Sequence, residues 1–359
     1  MQITSNTTPF LTESFLFTDK CGQKHCVVVL KATFDVDRDG NCQPGEEQIP
    51  FVYADEHYGD PGETSIRYES DFAPVKPLAD VLVNAIATPP RAQAVTELMV
   101  RLDGPGFAKA ALVTGDRVWK QGILSPKPSD PVPFTAIPLV WDRAFGGSDL
   151  SHKKVSRRGS EVRNLAGVGF HLNRNNDVLG TSLPNIEQPN AQMRHWLDKP
   201  EPIGFGPVGR GWQPRIGFAG TYDKAWMDER MPFLPEDFDN RYFQSAPMDQ
   251  QRPRLSPGDT FRCLNMCENG IFTASLPPID ARVRFLFENS TNCLDLKADT
   301  LILEPKEKRL ILLGRTSVPL QRKFTSLREI KVEKPSETGV RDKSRCKDHA
   351  SLTSFQTQF

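Results

Sequence analysis

Near the start of the chain, five residues have the types and spacing of a calcium-binding loop. Acidic residues at alternate positions, a glycine and a closing glutamate would supply oxygen ligands and a sharp turn: Asp35, Asp37, Asp39, Gly40 and Glu46. The apolar run at 27–34 predicts a strand before the loop, where the usual calcium loop has a helix. Gly40 also suits a tight hairpin turn, which needs a positive φ. The sequence therefore favours a hairpin turn over a metal site.

A second pattern, Gly204-x-Gly206-x-x-Gly209, has the spacing of a dinucleotide-binding fingerprint. That fingerprint binds a phosphate at the N-terminus of a helix that follows a strand. Here Pro207 lies inside the loop and Pro214 follows it, and neither a leading strand nor an amphipathic helix is predicted. The pattern therefore indicates no nucleotide site.

Hydrolysis by paired carboxylates is a third possible chemistry. The central part of the chain offers six acidic residues for it: Glu187, Glu201, Asp223, Glu236, Asp237 and Asp239. Any acidic loop contains such pairs, so the pattern favours capping or solvated roles over catalysis for each residue.

Cysteine and histidine give no recognisable metal site. Cys21, His25 and Cys26 lie close together, but their spacing fits no zinc pattern, and neither does that of Cys263 and Cys267. Seven cysteines are an odd, sparse set, which argues against a disulfide framework and for reduced thiols. The sequence predicts neither a bound metal nor a cofactor.

Composition bounds the classes of partner. The 359 residues include 45 basic and 45 acidic ones, so no bulk charge attracts nucleic acid or an anionic membrane. The longest apolar runs are far shorter than the roughly 18 residues of a membrane span. The first ten residues have neither the basic start nor the apolar stretch of a secretory signal. We therefore expect a soluble, cytoplasmic protein.

Short apolar or β-branched runs bounded by turn residues predict strands in both end regions. They cover residues 15–17, 27–34, 65–68, 81–86, 96–102, 108–113, 261–264, 271–276, 283–288, 300–303 and 309–313. In between, 16 of the 30 prolines lie from Pro126 to Pro257, a density that forbids long helices and central strands. Two short helices are predicted, at 223–230 and 325–332.

These elements predict a mainly β protein, an antiparallel β-sandwich or a distorted barrel, with a long irregular middle segment rich in proline and glycine. We expect one integrated domain over residues 1–333, because the middle has no periodic elements of its own. That domain is strand-rich at 10–124 and 258–333 and irregular at 125–257. The polar residues 334–359 are predicted to be disordered.

The stretch 184–251 combines aromatic, glycine, proline and acidic residues without a helical or strand period. Its large aromatic residues are Phe205, Trp212, Phe218, Tyr222, Trp226, Phe233, Phe238, Tyr242 and Phe243. Loops that carry this much apolar area must bury it against their own domain or against a partner. Both possibilities are open from the residues alone.

A series of short motifs runs in fixed order over roughly residues 10–330. In order they are Lys76-Pro77, Asp80-Val81-Leu82-Val83, Thr114-Gly115-Asp116-Arg117-Val118-Trp119, Ile137-Pro138-Leu139, Arg143-Ala144-Phe145-Gly146-Gly147, Asn164, Gly167 to Phe170, Leu183-Pro184-Asn185-Ile186-Glu187, Trp212-Gln213-Pro214-Arg215, Gly220-Thr221-Tyr222-Asp223, Trp226, Leu234-Pro235, Asp237-Phe238, Arg241-Tyr242-Phe243-Gln244, Ala246-Pro247 and Asp249-Gln250. By these motifs the chain resembles the bacterial family first catalogued as domain of unknown function 2169.

The resemblance implies a non-enzymatic adaptor or chaperone of type VI secretion. Such a protein binds a toxic effector in the cytoplasm, often one with a PAAR-type tip or an Rhs cage. It then helps to load that cargo onto the spike, the valine-glycine repeat protein. The implied partners are therefore the effector and the spike protein, with no nucleic acid and no membrane.

The resemblance also selects residues that either contact a partner or hold the fold. They are Arg143, Phe145, Gly146, Gly147, Asn185, Glu187, Trp212, Arg215, Thr221, Tyr222, Asp223, Trp226, Asp237, Phe238, Tyr242, Phe243 and Gln244. In the structural interpretation, several of them tie the middle segment to the sheets through charge-assisted hydrogen bonds.

Two other functions compete with the adaptor. A hydrolase acting on a glycan or peptidoglycan would place two carboxyl groups about 5 to 10 Å apart in a deep cleft. A carbohydrate-binding β module would present a flat aromatic strip without paired acids.

Overall fold

The computed structural model describes residues 2–172, 178–320 and 326–334, and strands dominate it. The strands are β1 (Ser5–Asn6), β2 (Leu11–Thr18), β3 (Lys24–Val36), β4 (Cys42–Pro44), β5 (Glu56–His57), β6 (Ile66–Tyr68), β7 (Ala79–Val83), β8 (Ile86–Ala87), β9 (Glu97–Gly104), β10 (Phe107–Thr114), β11 (Trp119–Lys120), β12 (Lys127–Pro128), β13 (Ile137–Pro138), β14 (Phe145–Gly146), β15 (Ser148–Asp149), β16 (Gly159–Ser160), β17 (Val168–Gly169), β18 (Ile186–Glu187), β19 (Gln251–Arg252), β20 (Thr260–Leu264), β21 (Ile271–Ser275), β22 (Arg282–Phe287), β23 (Thr291–Asp295), β24 (Lys297–Glu304), β25 (Arg309–Pro319) and β26 (Leu327–Glu333). The described helices are α1 (Lys224–Glu229) and short 3-10 turns at Pro90–Ala92, Trp141–Arg143, Val155–Arg157, Arg215–Phe218, Asn240–Phe243 and Met248–Gln250.

The largest sheet runs in the order β19-β7-β24-β25-β3-β2, with β4 added to β3. Its centre is the long pairing of β25 with β3, antiparallel from Arg309↔Asp35 to Pro319↔His25. Strands β7 and β24 pair in parallel, so the first and last parts of the chain meet in one sheet. The predicted strand runs at both ends of the chain are confirmed.

Two further sheets cover one face of this sheet. A five-stranded sheet has the order β18-β10-β9-β20-β21, and a four-stranded sheet has the order β1-β26-β22-β23. Alternate residues of a strand point to opposite faces, so Val28 and Leu30 of β3 enter the shared core. They join Phe261 of the five-stranded sheet and Phe285 of the four-stranded sheet in one buried cluster.

The opposite face of the seven-stranded sheet carries a second buried cluster. Val29 of β3, Leu82 of β7 and Ile311 of β25 meet Ala246 there, with Phe51 and Phe72 packed around them. This face is therefore covered by connecting segments instead of a sheet. The prediction of a mainly β, antiparallel, layered protein with few short helices is confirmed, and none of the sheets in the described part of the chain closes into a barrel.

The proline-rich middle has its own way of packing. Between residues 125 and 257 its strands are two residues long and its longest helix is α1, as the proline density predicts. A third buried cluster nevertheless forms there from Phe145, Phe170, Val178, Leu183, Met193 and Trp196, with Trp119 of β11 just before the segment. The middle segment thus contributes both to this cluster and to the shared core.

One helix prediction is right and one is wrong. The helix expected at 223–230 is α1, whose first turn is capped by the Asp223 side chain. The helix expected at 325–332 is strand β26, which pairs with β22 and, in parallel, with β1. Leu327 and Ile330 are three residues apart, which suits a helix, but Ile330 and Val332 are buried two residues apart, which is the period of a strand. Residue 325 lies outside the described residues, as do residues 335–359 of the tail 334–359 that was predicted to be disordered.

The short strand β23 was absent from the sequence prediction. It forms a hairpin with β22, from Arg282↔Asp295 to Leu286↔Thr291. Among the described residues, no helix is long and apolar enough to cross a membrane.

Leu310 tests the central pairing of the fold. It lies on β25 and is 0% exposed. We expect Leu310→Ala to lower the free energy of unfolding by about 2–5 kcal/mol, because the lost methyl groups leave a cavity. The control Leu124→Ala changes a side chain that is 98% exposed and should have little effect. Urea unfolding measures both, and equal midpoints would contradict this core assignment.

Candidate functional site

A buried carboxylate on β7 joins the middle segment to the seven-stranded sheet. Asp80 is fully buried. It accepts hydrogen bonds from Lys76 Nζ at 2.6 Å, Gln244 Nε2 at 2.8 Å and the backbone N–H of Ser245 at 2.8 Å. The Gln244 side chain in turn accepts from the backbone N–H of Leu78 at 3.0 Å. Gln244, one of the residues that the resemblance selects, therefore holds the segment to the sheet.

Trp212 is part of the shared core and not of a surface. Its ring packs edge-on against Trp141, with centroids 5.9 Å apart. The Trp141 Nε1–H donates to the carbonyl of Gly206 at 3.1 Å. Two indole rings thus fix the loop that resembles a dinucleotide fingerprint, which is neither preceded by a strand nor followed by an α-helix.

Arg215 is a buried cation that connects three loops. It donates to the carbonyls of Tyr242 and Val208, each at 2.8 Å, and pairs with Glu69. Arg210 reinforces the connection through Glu69 at 3.0 Å. These charge-assisted bonds hold the loops over the outer face of the large sheet.

At the Phe145-Gly146-Gly147 motif, the backbone passes in close contact with the backbone of a second segment. Phe145 is buried, and Gly147 has φ +87° and donates its N–H to the carbonyl of Asn164 at 2.9 Å. A Cβ on Gly146 would lie 2.2 Å from that same carbonyl oxygen, so only glycine fits. The side-chain Nδ2 of Asn164 also donates to the carbonyl of Trp141 at 2.8 Å, which holds the two segments together.

Arg143, Asn185 and Glu187 lie where β18 joins the edge of β10. Asn185 Nδ2 donates to Asp116 Oδ1 at 2.9 Å, and Arg143 donates to Asn185 Oδ1 at 3.0 Å. Glu187 is buried against Arg117. Burial raises the pKa of Glu187, and the Arg117 charge only partly offsets this.

The segment around α1 is fixed by hydrogen bonds of its own. The backbone N–H and hydroxyl of Thr221 donate to Asp237 at 3.0 and 2.7 Å, which lowers the pKa of Asp237. Asp223 accepts from the backbone N–H of Trp226 at 2.9 Å as the N-cap of α1. Trp226 Nε1 donates to the carbonyl of Phe233 at 2.8 Å.

This segment is attached to the β2–β3 hairpin. Lys20 Nζ donates to the carbonyls of Glu236 at 3.2 Å and Phe238 at 3.1 Å, and Arg230 donates to the carbonyl of Lys20. Beneath it an aromatic cluster contacts β2, because Phe243 packs edge-on against Phe17 at 6.0 Å. Phe238 and Tyr242 complete that cluster.

Four large apolar side chains of this segment nevertheless face solvent. Tyr222 is 53% exposed, Met227 60%, Met231 63% and Phe233 42%. We call these four residues the α1 surface. Of the residues that the resemblance selects, only Tyr222 belongs to this exposed group.

The predicted hairpin turn at Gly40 is confirmed. Strands β3 and β4 pair across it, and the Asp37 carboxylate accepts from the backbone N–H of Asp39 at 2.8 Å and of Asn41 at 2.9 Å.

In the described ranges, no three His, Cys, Asp or Glu side chains are placed to hold a metal ion. The six cysteines of those ranges are free thiols, and burial raises the pKa of Cys26 and Cys42 to about 11.

Comparison with known proteins supplies the family. The family model described as "Uncharacterized protein conserved in bacteria (DUF2169)" matches residues 21–315, and the chain belongs to that family. No curated protein and no solved structure matches the chain.

Two residues that carry much of this arrangement were not among the predicted site residues. Asp80 and Asn164 stood in the motif series, but only as members of short strings. For Asp80 a signal was available, because an acidic residue inside the apolar run 79–83 must find partners once the strand is buried.

Asp80→Asn tests the connection at β7. The substitution leaves the buried Lys76 ammonium without its counter-charge, so we expect the free energy of unfolding to fall by about 3–5 kcal/mol. The matched control is Asp130→Asn, which changes the exposed partner of Lys120 and should leave the urea midpoint unchanged. A similar small effect of both substitutions would show that Asp80 does not hold the fold.

Glu187→Gln tests the buried carboxyl at β18. Because the folded-state pKa of Glu187 lies above its ordinary value of 4.5, folding takes up a proton between the two values. The stability contributed by Glu187 therefore falls as pH rises above about 4.5 and is constant above the folded pKa. Glutamine does not titrate, so the wild type should lose stability relative to Glu187→Gln as pH rises through this window. Urea unfolding at a series of pH values measures the difference, and a change of opposite sign would contradict the assignment.

Proposed function

We propose that this protein is a non-enzymatic adaptor or chaperone of type VI secretion. It binds a toxic effector in the cytoplasm and helps to load it onto the spike. The partner classes come from the family resemblance: a toxin with a PAAR or Rhs region and the valine-glycine repeat spike protein. The observation that carries the proposal is the α1 surface, which is exposed although its segment is firmly held.

The fixed backbone supports a binding role. Binding to an ordered surface loses less conformational entropy than binding to a mobile loop, so more of the contact energy appears as affinity. The α1 segment is fixed at both ends of its loop, by Thr221 with Asp237 and by Lys20 with the carbonyls of Glu236 and Phe238. Its exposed side chains are therefore presented in one arrangement.

The side-chain types support the same role. Tyrosine and other aromatic residues are typical anchors of protein interfaces, and the flexible, polarisable methionine adapts to differently shaped partners. Met227 and Met231 flank the end of α1, with Tyr222 before it and Phe233 after it. Charged residues on the solvent side of α1, Lys224 and Asp228, provide a polar rim.

Five of the six carboxylates considered for hydrolysis are engaged by other groups. Glu187 is bound by Arg117, Asp239 by Arg241 and Asp237 by Thr221. Asp223 caps α1, and Glu236 lies 3.7 Å from Arg230. A carboxylate that is held in this way is not poised to transfer a proton or attack a sugar.

A pull-down from the native bacterium tests both the role and the surface. Tagged wild-type protein should enrich a spike protein together with a toxin that carries a PAAR or Rhs region, as identified by mass spectrometry. Met227→Glu with Met231→Glu should abolish the enrichment of the toxin, because the partner would have to bury two carboxylates without counter-charges.

The matched control is Leu150→Glu with Leu165→Glu, which changes two other exposed apolar side chains and should leave enrichment unchanged. If the wild type enriches neither partner while the secretion genes are expressed, the adaptor role is refuted. If the Met227 and Met231 double variant still enriches the toxin, the α1 surface is not the binding site.

A further inference from the structure

A cleft of about 990 Å³ opens beside the β3–β4 hairpin turn. Five separate parts of the chain line it: that turn, β8 with the residues after it, the residues before β13, the β20–β21 turn with β21, and the β24–β25 turn. The α1 surface adjoins the opposite end of β3. Since β3 runs from Lys24 to Val36 at about 3.3 Å per residue, the two sites are separated by roughly 40 Å.

Four cations line this cleft. Arg38, Arg91, Lys306 and Lys308 line it, all are exposed, and none makes a side-chain hydrogen bond or ion pair within the described ranges. Two carboxylates also line it, and that of Asp37 is engaged by the N–H groups of its own turn. With four cations against the carboxylates of Asp37 and Glu268, the lining carries a net charge of +2 in a chain whose net charge is zero.

The backbone is strained at the same place. Arg91 has φ +61° and Lys308 has φ +53°, in the left-handed region that non-glycine residues rarely adopt. Asn265, with φ +58°, is the third such residue in the described part of the chain. Its carbonyl accepts from the backbone N–H of Thr88, another lining residue, at 3.0 Å. Strain of this kind persists only where the surrounding structure holds it in place, and it is found most often at functional sites.

One wall of the cleft is the open edge of a sheet. Strand β21 is the last strand of the five-stranded sheet, and Ile271 and Thr273 line the cleft. The backbone N–H of Ser275 donates outward to Gly40 at 2.8 Å. Alternate residues direct their backbone groups to the same side, so Thr273 and Ile271 also direct theirs away from β20. The hairpin turn bonds to the Ser275 end of this edge and Gly40 lies against Thr273, so the open part is the Ile271 end.

We propose that this cleft binds an extended acidic peptide segment of a partner protein, which pairs with the Ile271 end of β21. The edge supplies main-chain hydrogen bonds, as in other cases of strand addition. Arg38, Arg91, Lys306 and Lys308 receive the acidic side chains. Ile86 and Ile271, the latter 49% exposed, receive apolar side chains between them.

The cleft fits a peptide better than a nucleic acid. Binding of single strands depends on exposed aromatic rings on which bases stack. Phe272 is the one aromatic residue in the lining, and it is buried. Carboxylates at Asp37 and Glu268 would also repel a continuous phosphate backbone, whereas a peptide can place its acidic residues to avoid them.

Fluorescence anisotropy with a labelled peptide of alternating glutamate and valine tests the proposal. The full chain should bind it, and more weakly as salt rises. Arg38→Glu with Lys306→Glu should weaken binding by about tenfold, since two attractive pairs become repulsive. The matched control, Lys153→Glu with Lys154→Glu, reverses two exposed charges away from the cleft and should bind normally.

Thr273→Pro tests the strand pairing separately. It removes an N–H on the outer side of β21, where a proline is tolerated because no bond to β20 is lost. Circular dichroism should show an intact fold, while peptide binding should weaken. The proposal is overturned if the peptide does not bind, if the Arg38 and Lys306 variant binds it equally well, or if an alternating lysine and valine peptide or oligothymidylate binds as tightly. Normal binding by a folded Thr273→Pro protein would overturn the strand pairing.

Discussion

The architecture depends on a charge that is buried where a sheet would ordinarily be apolar. Asp80 stands in β7 between β19 and β24, and its carboxylate is out of contact with water. A charge in that position is stable only when its hydrogen bonds are complete. Lys76, Gln244 and Ser245 complete them, and two of these belong to the middle segment. The sheet and the segment are therefore stable only together.

The same principle applies along the rest of the outer face. Lys31 on β3 is buried and donates to Asp71 at 2.7 Å and to the carbonyl of Pro50 at 2.9 Å. Arg315 on β25 donates to the carbonyl of Asp71 at 2.9 Å. The covering segments make few backbone–backbone hydrogen bonds of their own. Side chains of the sheet thus form hydrogen bonds with their polar groups instead. This explains how a stretch with many prolines can be a fixed part of the structure.

The two proposed binding sites lie at turns beyond opposite ends of β3, the longest described strand. At one end the β2–β3 hairpin carries the α1 segment through Lys20 and Arg230. At the other end the β3–β4 hairpin forms a wall of the basic cleft. A rigid strand between them keeps the two sites at a fixed separation.

The sequence predicts most of the longer strands, because a run of apolar and β-branched residues is a local property. Val28, Val29, Leu30 and Lys31 are all buried, since both faces of β3 are covered. Strand β26 was missed because a short run with mixed charges, 327–333, has no clear period until its partner β22 selects one face. Pairing order is equally hidden, since the parallel contact of β7 with β24 joins residues far apart in the chain.

For the candidate sites too, the sequence names some of the residues but does not show where they lie. The motif series contains Trp212, Arg215 and Gln244, and their contacts show that they are buried in the scaffold. The sequence could not distinguish them from the exposed Tyr222, because an irregular segment has no periodic pattern that separates buried from exposed positions. The basic cleft was not predictable at all, since its four cations come from three different turns that only the sheet order brings together.

The central claim is that the irregular middle is a rigid part of the scaffold, and hydrogen exchange measures this most directly. Native-state exchange with mass spectrometry should show peptides that cover Val208 and Ser245 exchanging as slowly as β24 and β25. Their backbone N–H groups are bonded to the Ser245 carbonyl and to Asp80, each at 2.8 Å. Peptides with Thr221 and Trp226 should also be protected, less strongly because they are more exposed. Exchange of the Val208 and Ser245 peptides at the rate of an open loop, while β24 and β25 stay protected, would contradict the account.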